Sequence, residues 1–206
     1  MRSVDTLIEL FTKFPGIGPR QAKRFVYFLL GKNGTFTKEL ITALSSLSKQ
    51  MRVCPSCYRF FYRENTESSE CNICLDTHRE KSYLLVVGGN IDLENIEKSG
   101  YWHGYYFVLG GNIPILEKNP EQRVRLRELK AKVEKEGKTG TLKEIVLALS
   151  TTPDGEHTAS YVKGALEPIA AQYGIKISML GRGLSTGAEI EYSDNETIKN
   201  ALQNRH

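Results

Sequence analysis

Residues 54–74, CPSCYRFFYRENTESSECNIC, hold all four cysteines of the chain and decide the fold of its middle. Cys54-Pro-Ser-Cys57 precedes Cys71-Asn-Ile-Cys74, and thirteen residues lie between the two pairs. Two Cys-x-x-Cys pairs at this separation can bring Cys54, Cys57, Cys71 and Cys74 to the corners of one tetrahedron, as structural Zn²⁺ requires. The aromatic and then polar residues between them predict a short hairpin or ribbon. With four protein ligands the site is closed, so it is predicted to stabilise the fold and not to catalyse.

Three other interpretations of the cysteines remain open: a redox dithiol, a pair of disulfides and an iron–sulfur cluster. A redox motif uses one Cys-x-x-Cys pair, whereas this chain has two matched pairs. Disulfides are less expected because the sequence shows no signal-peptide pattern and, at 206 residues, can build a core without them. Each Cys-x-x-Cys segment forms what is called a knuckle. Two such knuckles fit a zinc ribbon better than an iron–sulfur cluster. The spacing therefore favours one structural Zn²⁺ per chain.

On the N-terminal side of the cysteines, residues 14–19, FPGIGP, separate two stretches with helical apolar spacing, 6–13 and 20–30. Such a helix, glycine-rich hairpin and helix form a helix-hairpin-helix motif. Gly16 and Gly18 would let the turn run close to a phosphate. The second helix would then direct its free N–H groups and the positive end of its dipole at that phosphate.

Basic side chains accompany this motif. Arg20 and Arg24 are four residues apart and share a helix face, with Lys23 beside them. Residues 1–53 contain nine lysines and arginines against three acids, a charge of +6, whereas the remaining residues sum to −2. This distribution predicts contacts with the DNA backbone that do not read sequence. The alternative is a Gly-Pro turn between two core helices with solvated charges.

After the cysteines the pattern alternates between apolar strands and helices. The predicted strands cover residues 82–87, 105–109, 145–149 and 176–180, and the helices cover 91–99, 120–136 and 158–173. This order predicts a mainly parallel sheet with helices on both faces. Functional groups gather at the carboxyl ends of such strands. Residues 181–192 are rich in glycine and predict a surface arm or interface segment, and a short final helix is expected near 195–203.

The overall composition, 40% hydrophobic and 25% charged, is ordinary for a globular protein. No apolar run approaches the roughly 20 residues of a membrane span. We therefore expect a protein without membrane contact that resides in the cytoplasm.

The order of these parts resembles the RecR family of bacterial recombination mediators. The resemblance covers almost the whole chain and depends on five motifs in this order: FPGIGPRQAKR (14–24), the four cysteines, YFVLGGN (106–112), DGEHTA (154–159) and RGLSTGAEIEY (182–192). It implies a Toprim-like α/β domain after the zinc knuckle. The implied modules are a helix-hairpin-helix DNA-binding module (1–53), a Cys₄ zinc finger (54–79), the Toprim-like domain (80–174) and a C-terminal strand, interface segment and helix (175–206).

The resemblance also implies a function. By this resemblance, the chain would be a non-enzymatic DNA clamp that forms ring-shaped tetramers. Proteins of this family act in recombinational DNA repair with RecO, and in many bacteria RecF, to help load RecA at gaps. The Toprim-like region is implicated in the contacts with these partners. A homo-oligomer, tetramer or dimer, associated with the bacterial nucleoid is therefore the expectation.

The chain departs from the family where the first strand ends. Toprim domains carry an acidic residue there, usually Glu in RecR proteins, whereas this chain has Gly88-Gly89. The later acidic pair is present as Asp154 and Glu156. Two carboxylates without the third form a poor phosphoryl-transfer site. Three roles for the pair remain open: capping the following helix, contacting a partner, and binding a metal weakly.

Two other function classes remain as alternatives. A Toprim metal-dependent phosphoryl-transfer enzyme needs a complete acidic triad, and the missing first acid argues against it. A zinc-stabilised adaptor that binds only protein is opposed by the basic N-terminal segment. The sequence favours a DNA-binding protein that is not an enzyme.

Overall fold

A computed structural model describes residues 2–62, 68–181, 183–184 and 186–203. The chain divides into two compact units, Met1–Met51 and Arg52–His206. Among the described residues, no helix combines the length and the apolar character that crossing a membrane requires.

The first unit is helical. It contains α1 (Arg2–Thr12), α2 (Pro19–Leu30) and α3 (Gly34–Gln50). The rings of Phe11 and Phe25 pack edge to face with centroids 5.8 Å apart, which joins α1 to α2. Ala22 and Val26 are buried on the inner face of α2, as the apolar spacing predicted.

Two short strands and a helical turn carry the cysteines at the start of the second unit. Strand β1 (Met51–Val53) pairs with β2 (Phe60–Tyr62), and α4 spans Asn72–Leu75. A hairpin or ribbon was predicted within 58–70. Strand β2 lies in that stretch, but its partner β1 precedes the first cysteine. Residues 63–67 of that stretch lie outside the described residues.

A four-stranded parallel sheet forms the body of the second unit. Its strands are β3 (Glu80–Val87), β4 (Gly104–Val108), β5 (Glu144–Ala148) and β6 (Lys176–Met179), in the order β4-β3-β5-β6. The helices that follow the strands are α5 (Asn90–Ser99), α6 (Pro120–Arg123), α7 (Leu126–Lys138) and α8 (Pro153–Tyr173). The predicted parallel α/β architecture is confirmed.

The sheet buries a core on each face because side chains alternate along its strands. Leu84 and Phe107 contribute to one core, together with apolar side chains of α7 and α8. Leu85 and Tyr106 contribute to the other core, together with Leu93 of α5 and the cysteines. The segment that holds the cysteines is thus part of the packing of the sheet.

Several predicted boundaries were wrong. The helix expected over 120–136 is interrupted, since Val124 is extended and the Arg125 N–H donates to the carbonyl of Leu109. Helix α8 begins at Pro153, five residues earlier than predicted, so Asp154 and Glu156 lie in its first turn. Helix α3 was not predicted.

The C-terminal residues add a 3₁₀ turn at Ile190–Tyr192 and α9 (Asn195–Gln203), the latter where the final helix was predicted. Arg182, within the last motif of the resemblance, lies outside the described residues. The division into modules at residues 53, 79 and 174 stays a prediction, as does the interface role of the glycine-rich segment.

Candidate functional site

The four cysteine sulfurs converge at one point of the second unit. All four lie within 4.8 Å of one another. The Sγ atoms of Cys54 and Cys74 are 3.7 Å apart, and those of Cys57 and Cys71 are 3.6 Å apart. Cys54, Cys57 and Cys71 are fully buried, whereas Cys74 is half-buried. Such a cluster can hold one metal ion.

Local backbone hydrogen bonds shape the two knuckles. The N–H of Cys54 donates to the carbonyl of Arg59, and the N–H of Tyr58 donates to the carbonyl of Cys54, both over 2.9 Å. Tyr58 has a φ of 61°, a left-handed conformation that is uncommon for a residue other than glycine. In the second knuckle the Cys71 N–H donates to Cys54 Sγ over 3.4 Å, which is how the two pairs meet.

The proximity of the sulfurs changes their acidity. Hydrogen bonds from the other three thiols, that of Cys57 most strongly, hold the pKa of Cys54 well below its ordinary value. Hydrogen bonds with Cys54 raise the pKa of Cys57 and of Cys74 above the ordinary value, so the thiolate character of the cluster lies at Cys54. The thiolate is the form of cysteine that binds metals.

The segment that follows the first knuckle is anchored to the sheet by Tyr58. Its ring lies 5.2 Å from that of Phe107 on β4, and the Arg125 guanidinium lies 5.5 Å from its centroid. Arg125 also donates from Nη1 to the carbonyl of Val108 over 3.2 Å. Neither residue was singled out from the sequence. The aromatic run after Cys57 was the one signal that pointed to Tyr58, whereas Arg125 resembles its charged neighbours.

The helix-hairpin-helix residues form the second candidate site. Gly16 has a φ of +75°, a conformation that L side chains rarely adopt. Gly18 is the N-cap of α2 and supplies no side-chain cap, and Pro19 follows at the first helical position. The N-cap residue of α2 therefore offers no side chain to the N–H groups of the first helical turn. N–H groups that are not capped in this way can contact a phosphate.

The three basic residues predicted for DNA contact lie on α2 and are exposed: Arg20, Lys23 and Arg24. Arg24 Nη1 donates to Gln21 Oε1 over 3.3 Å, and the Lys23 ammonium lies 5.9 Å from the centroid of the Tyr27 ring. Among the described residues no carboxylate forms an ion pair with any of the three. Their charges are thus available to an anionic ligand.

The carboxyl ends of the strands carry the third set of predicted residues. Asp154 Oδ1 accepts a hydrogen bond of 3.3 Å from the N–H of Ile115. Thr152 caps α8 by accepting from the Gly155 N–H, and Asp154 and Glu156 lie in the turn that follows. Acids in a first turn interact favourably with the helix dipole. This placement agrees with the capping role and leaves a partner contact open.

Gly88 stands where the resemblance leads us to expect an acidic residue, and the side chain of Asp92 lies beside it. A Cβ added at Gly88 would lie 3.3 Å from Asp92 Oδ2. That oxygen accepts the N–H of Gly89 over 2.8 Å and so caps α5. Within the part of the chain that the structure describes, only the cysteines form a cluster of three or more metal-ligating side chains. Asp154 and Glu156 are therefore not joined there by a third ligand.

Comparison with known proteins decides the family. Recombination protein RecR of Cereibacter sphaeroides is 35% identical over 202 residues, which is 98% of this chain and 95% of the relative. The chain belongs to the RecR family. RecR of Chlorobium phaeobacteroides is 32% identical over 203 residues, and RecR of Streptococcus equi subsp. zooepidemicus is 33% identical over 202 residues. Each alignment covers 98% of this chain and 96% of the relative.

Three family models match successive parts of this RecR chain. The RecR helix-hairpin-helix model matches residues 4–47, the Toprim model matches 82–181 and the RecR C-terminal model matches 183–206. The expected family, the helix-hairpin-helix motif and the Toprim-like domain are thereby confirmed. The chain is a RecR-type recombination and repair protein that carries a four-cysteine cluster able to bind a metal ion.

Proposed function

We propose that this RecR protein is a non-enzymatic DNA clamp that helps to load RecA at gaps, together with partners of the RecO and RecF type. The observation that carries the proposal is the exposed basic group at the start of α2: Arg20, Lys23 and Arg24. Together with Gly16 and Gly18, this group can bind one stretch of phosphate backbone. A clamp of this kind would act in the cytoplasm at the bacterial nucleoid.

The chemistry of this surface supports backbone binding over sequence reading. Arginines deliver paired N–H donors to phosphate oxygens, and the start of a helix adds main-chain N–H donors and a positive dipole end. A hairpin at the DNA backbone presents no side chain to the base edges, so sequence specificity is not expected.

A clamp needs more than one subunit, because a 206-residue chain is too small to surround a duplex. Exposed apolar side chains on α3 support self-association. Ile41, Leu44 and Leu47 recur every three residues and are each more than half exposed. Monomeric proteins rarely leave such a row uncovered. We propose a homo-oligomer, a tetramer or a dimer, that covers this row.

We assign Zn²⁺ to the cysteine cluster. Four thiolates at about 2.3 Å from one tetrahedral zinc lie roughly 3.8 Å apart. The Sγ atoms of Cys57 and Cys71, 3.6 Å apart, and those of Cys54 and Cys74, 3.7 Å apart, fit that geometry. Cys54, Cys57, Cys71 and Cys74 would be its ligands, and the metal would stabilise the segment that packs against β4.

Partner contacts are assigned to the carboxyl edge of the sheet. Asp154 and Glu156 bring negative charge there, and nearby Leu116 is 92% exposed. A phosphoryl-transfer enzyme is less well supported, since Gly88 supplies no carboxylate. A protein-only adaptor is less well supported because it leaves the cations of α2 without a role.

The decisive experiment compares two double variants of the zinc-loaded protein. Arg20→Ala/Arg24→Ala should lower affinity for a labelled DNA duplex and reduce the slope of log K against log salt by about 2. Lys98→Ala/Lys143→Ala removes the same charge from exposed residues outside the basic segment 1–53 and should bind like the wild type. Fluorescence anisotropy at several salt concentrations measures both quantities. Equal losses in the two variants would refute the α2 contact.

Light scattering tests the oligomer on the same samples. A tetramer, or a dimer that becomes a tetramer on DNA, supports the clamp. A strict monomer that does not bind DNA would overturn it.

A further inference from the structure

A cleft of about 270 Å³ opens beside the cysteine cluster. Cys74 lines it, together with Lys81, Tyr105, Lys132 and Thr141. Cys54, Cys57 and Cys71 do not line the cleft and are fully buried. A small molecule in the cleft therefore meets one of the four thiols and not the others.

The thiol that the cleft exposes has a second sulfur close behind it. Cys54 Sγ lies 3.7 Å from Cys74 Sγ. A disulfide requires about 2.05 Å, so the two sulfurs need to approach by roughly 1.7 Å. The other close pair, Cys57 and Cys71 at 3.6 Å, has no exposed member. Cys54 and Cys74 thus form a pair that the cleft reaches through Cys74, whereas Cys57 and Cys71 form a pair that it does not reach.

From this arrangement we propose that Cys74 is a site of oxidation by peroxides, and that its oxidation releases the zinc. The inference depends on the zinc site proposed above. It adds to that site a modification that begins at one defined ligand and needs a peroxide as its oxidant.

The chemistry takes two steps. As a zinc ligand Cys74 would be a thiolate. Its sulfur attacks one peroxide oxygen, the O–O bond breaks, and the departing hydroxide takes a proton to become water, which leaves a sulfenic acid on Cys74. The Cys54 thiolate then attacks the Cys74 sulfur and displaces hydroxide, which becomes the second water. Two thiolates are oxidised to one disulfide, and hydrogen peroxide is reduced to two waters. Cys57 and Cys71 would then be the only thiolates left to hold the metal ion, which two ligands would not retain.

Two lysines and two glutamates line the cleft: Lys81, Lys132, Glu70 and Glu136. Glu70 accepts a hydrogen bond from the hydroxyl of Ser56. Lys132 forms an ion pair of 2.7 Å with Glu136. Lys81 is exposed, and none of the carboxylates that the structure describes forms an ion pair with it. An ammonium at the rim of the cleft stabilises the hydroxide that leaves the peroxide. Removal of this charge should therefore slow the oxidation without altering a zinc ligand.

The test treats the zinc-loaded, full-length protein with hydrogen peroxide. A chromogenic chelator follows zinc release, while dimedone and then iodoacetamide trap the cysteines for peptide mapping by mass spectrometry. We expect the first dimedone adduct on Cys74, then a Cys54–Cys74 disulfide, and one zinc released per chain. Dithiothreitol with added zinc should restore the metal content.

A pair of charge reversals tests the cleft itself. Lys81→Glu should slow zinc release about threefold. Lys143→Glu, at an exposed lysine that does not line the cleft, should react at the wild-type rate. Equal rates in the two variants would overturn the cleft as the route of attack.

The outcomes separate this inference from the function on which it rests. First modification at Cys57 or Cys71, or equal modification of all four cysteines, overturns the inference and leaves the zinc site intact. A purified protein that contains no zinc overturns the metal site and the inference together. DNA binding is measured separately and is not affected by either result.

Discussion

The main-chain N–H of Val108 donates a hydrogen bond of 2.8 Å to the main-chain carbonyl of Cys57. Val108 ends β4, which is an edge strand of the parallel sheet, and Cys57 belongs to the first Cys-x-x-Cys pair. The knuckle therefore covers part of an edge that would otherwise expose unpaired main-chain groups. The cysteine cluster and the α/β core are linked by the backbone as well as by packing.

This link predicts what metal removal does. Chelation of zinc under reducing conditions should disorder the knuckles, because metal binding is coupled to folding. The Val108 amide should then exchange at least about tenfold faster, whereas the amide of Val86, in the interior of the sheet, should change less. Hydrogen exchange with mass spectrometry measures both. Unchanged exchange at Val108 after complete zinc loss would contradict the link.

Tyr58 offers a test that separates ring packing from backbone strain. Tyr58→Ala should lower the free energy of unfolding by about 2 kcal/mol, because the contacts with Phe107 and Arg125 are lost. Tyr58→Gly loses the same ring but suits a φ of 61°, so it should be more stable than the alanine variant by about 1 kcal/mol. Urea unfolding of the zinc-loaded variants measures the difference. The reverse order would show that strain at this position is negligible.

Two glycines of α8 should respond oppositely to alanine. A Cβ at Gly155 would overlap the carbonyl oxygen of Ser150, whereas a Cβ at Gly164 meets nothing within 4 Å. Gly155→Ala should therefore destabilise the protein by about 2 kcal/mol or more, since the start of α8 must move away from the strand end. Gly164→Ala should stabilise it by about 0.5–1 kcal/mol. Thermal unfolding of the two variants measures the contrast, and similar shifts would refute the close approach at Ser150.

The buried hydroxyl of Tyr106 predicts a loss of stability in alkali. Burial, and then the neighbouring Glu97 carboxylate, raises the pKa of Tyr106 above its ordinary value. The folded protein keeps this proton to a higher pH than the unfolded chain does. Its contribution is therefore fully present below about pH 10 and is lost as the pH rises further.

Tyr106→Phe should flatten that alkaline loss, as measured by urea unfolding between pH 9 and 11. At pH 7 the change should be less than about 1 kcal/mol, because the hydroxyl makes no hydrogen bond to the described residues. Tyr105→Phe is the comparison, since its hydroxyl donates to the Asp76 carbonyl over 3.0 Å and its loss should cost about 1 kcal/mol. An alkaline loss in Tyr106→Phe equal to that of the wild type would contradict the assignment.

Helix α3 shows where a local signal was available and missed. Its sequence contains several serines and threonines, which favour helix interiors weakly. Asn33, however, precedes it as an N-cap and accepts from the Phe36 N–H over 3.5 Å. An asparagine followed by Leu40 and Leu47 on helical spacing could have predicted the helix.

The interruption between α6 and α7 had no such signal. Residues 120–136 are charged and have helical spacing throughout, so local preference favours one helix. The break arises because the Arg125 N–H bonds to Leu109, sixteen residues earlier in the chain, and its side chain bonds to Val108. A contact between distant residues outweighs local preference there.

The sequence alone determined the parts whose information is local. Cysteine spacing, the Pro-Gly-Ile-Gly turn and the alternation of apolar strands with helices identified the four-cysteine cluster, the helix-hairpin-helix motif and the parallel sheet. Each of these depends on spacing or periodicity within a short segment. The tertiary structure decided which side chains meet across segments. It brought Tyr58 against Phe107 and left Cys74 as the half-buried cysteine of the cluster. Burial and long-range hydrogen bonds depend on the packing of distant residues, which no local pattern encodes.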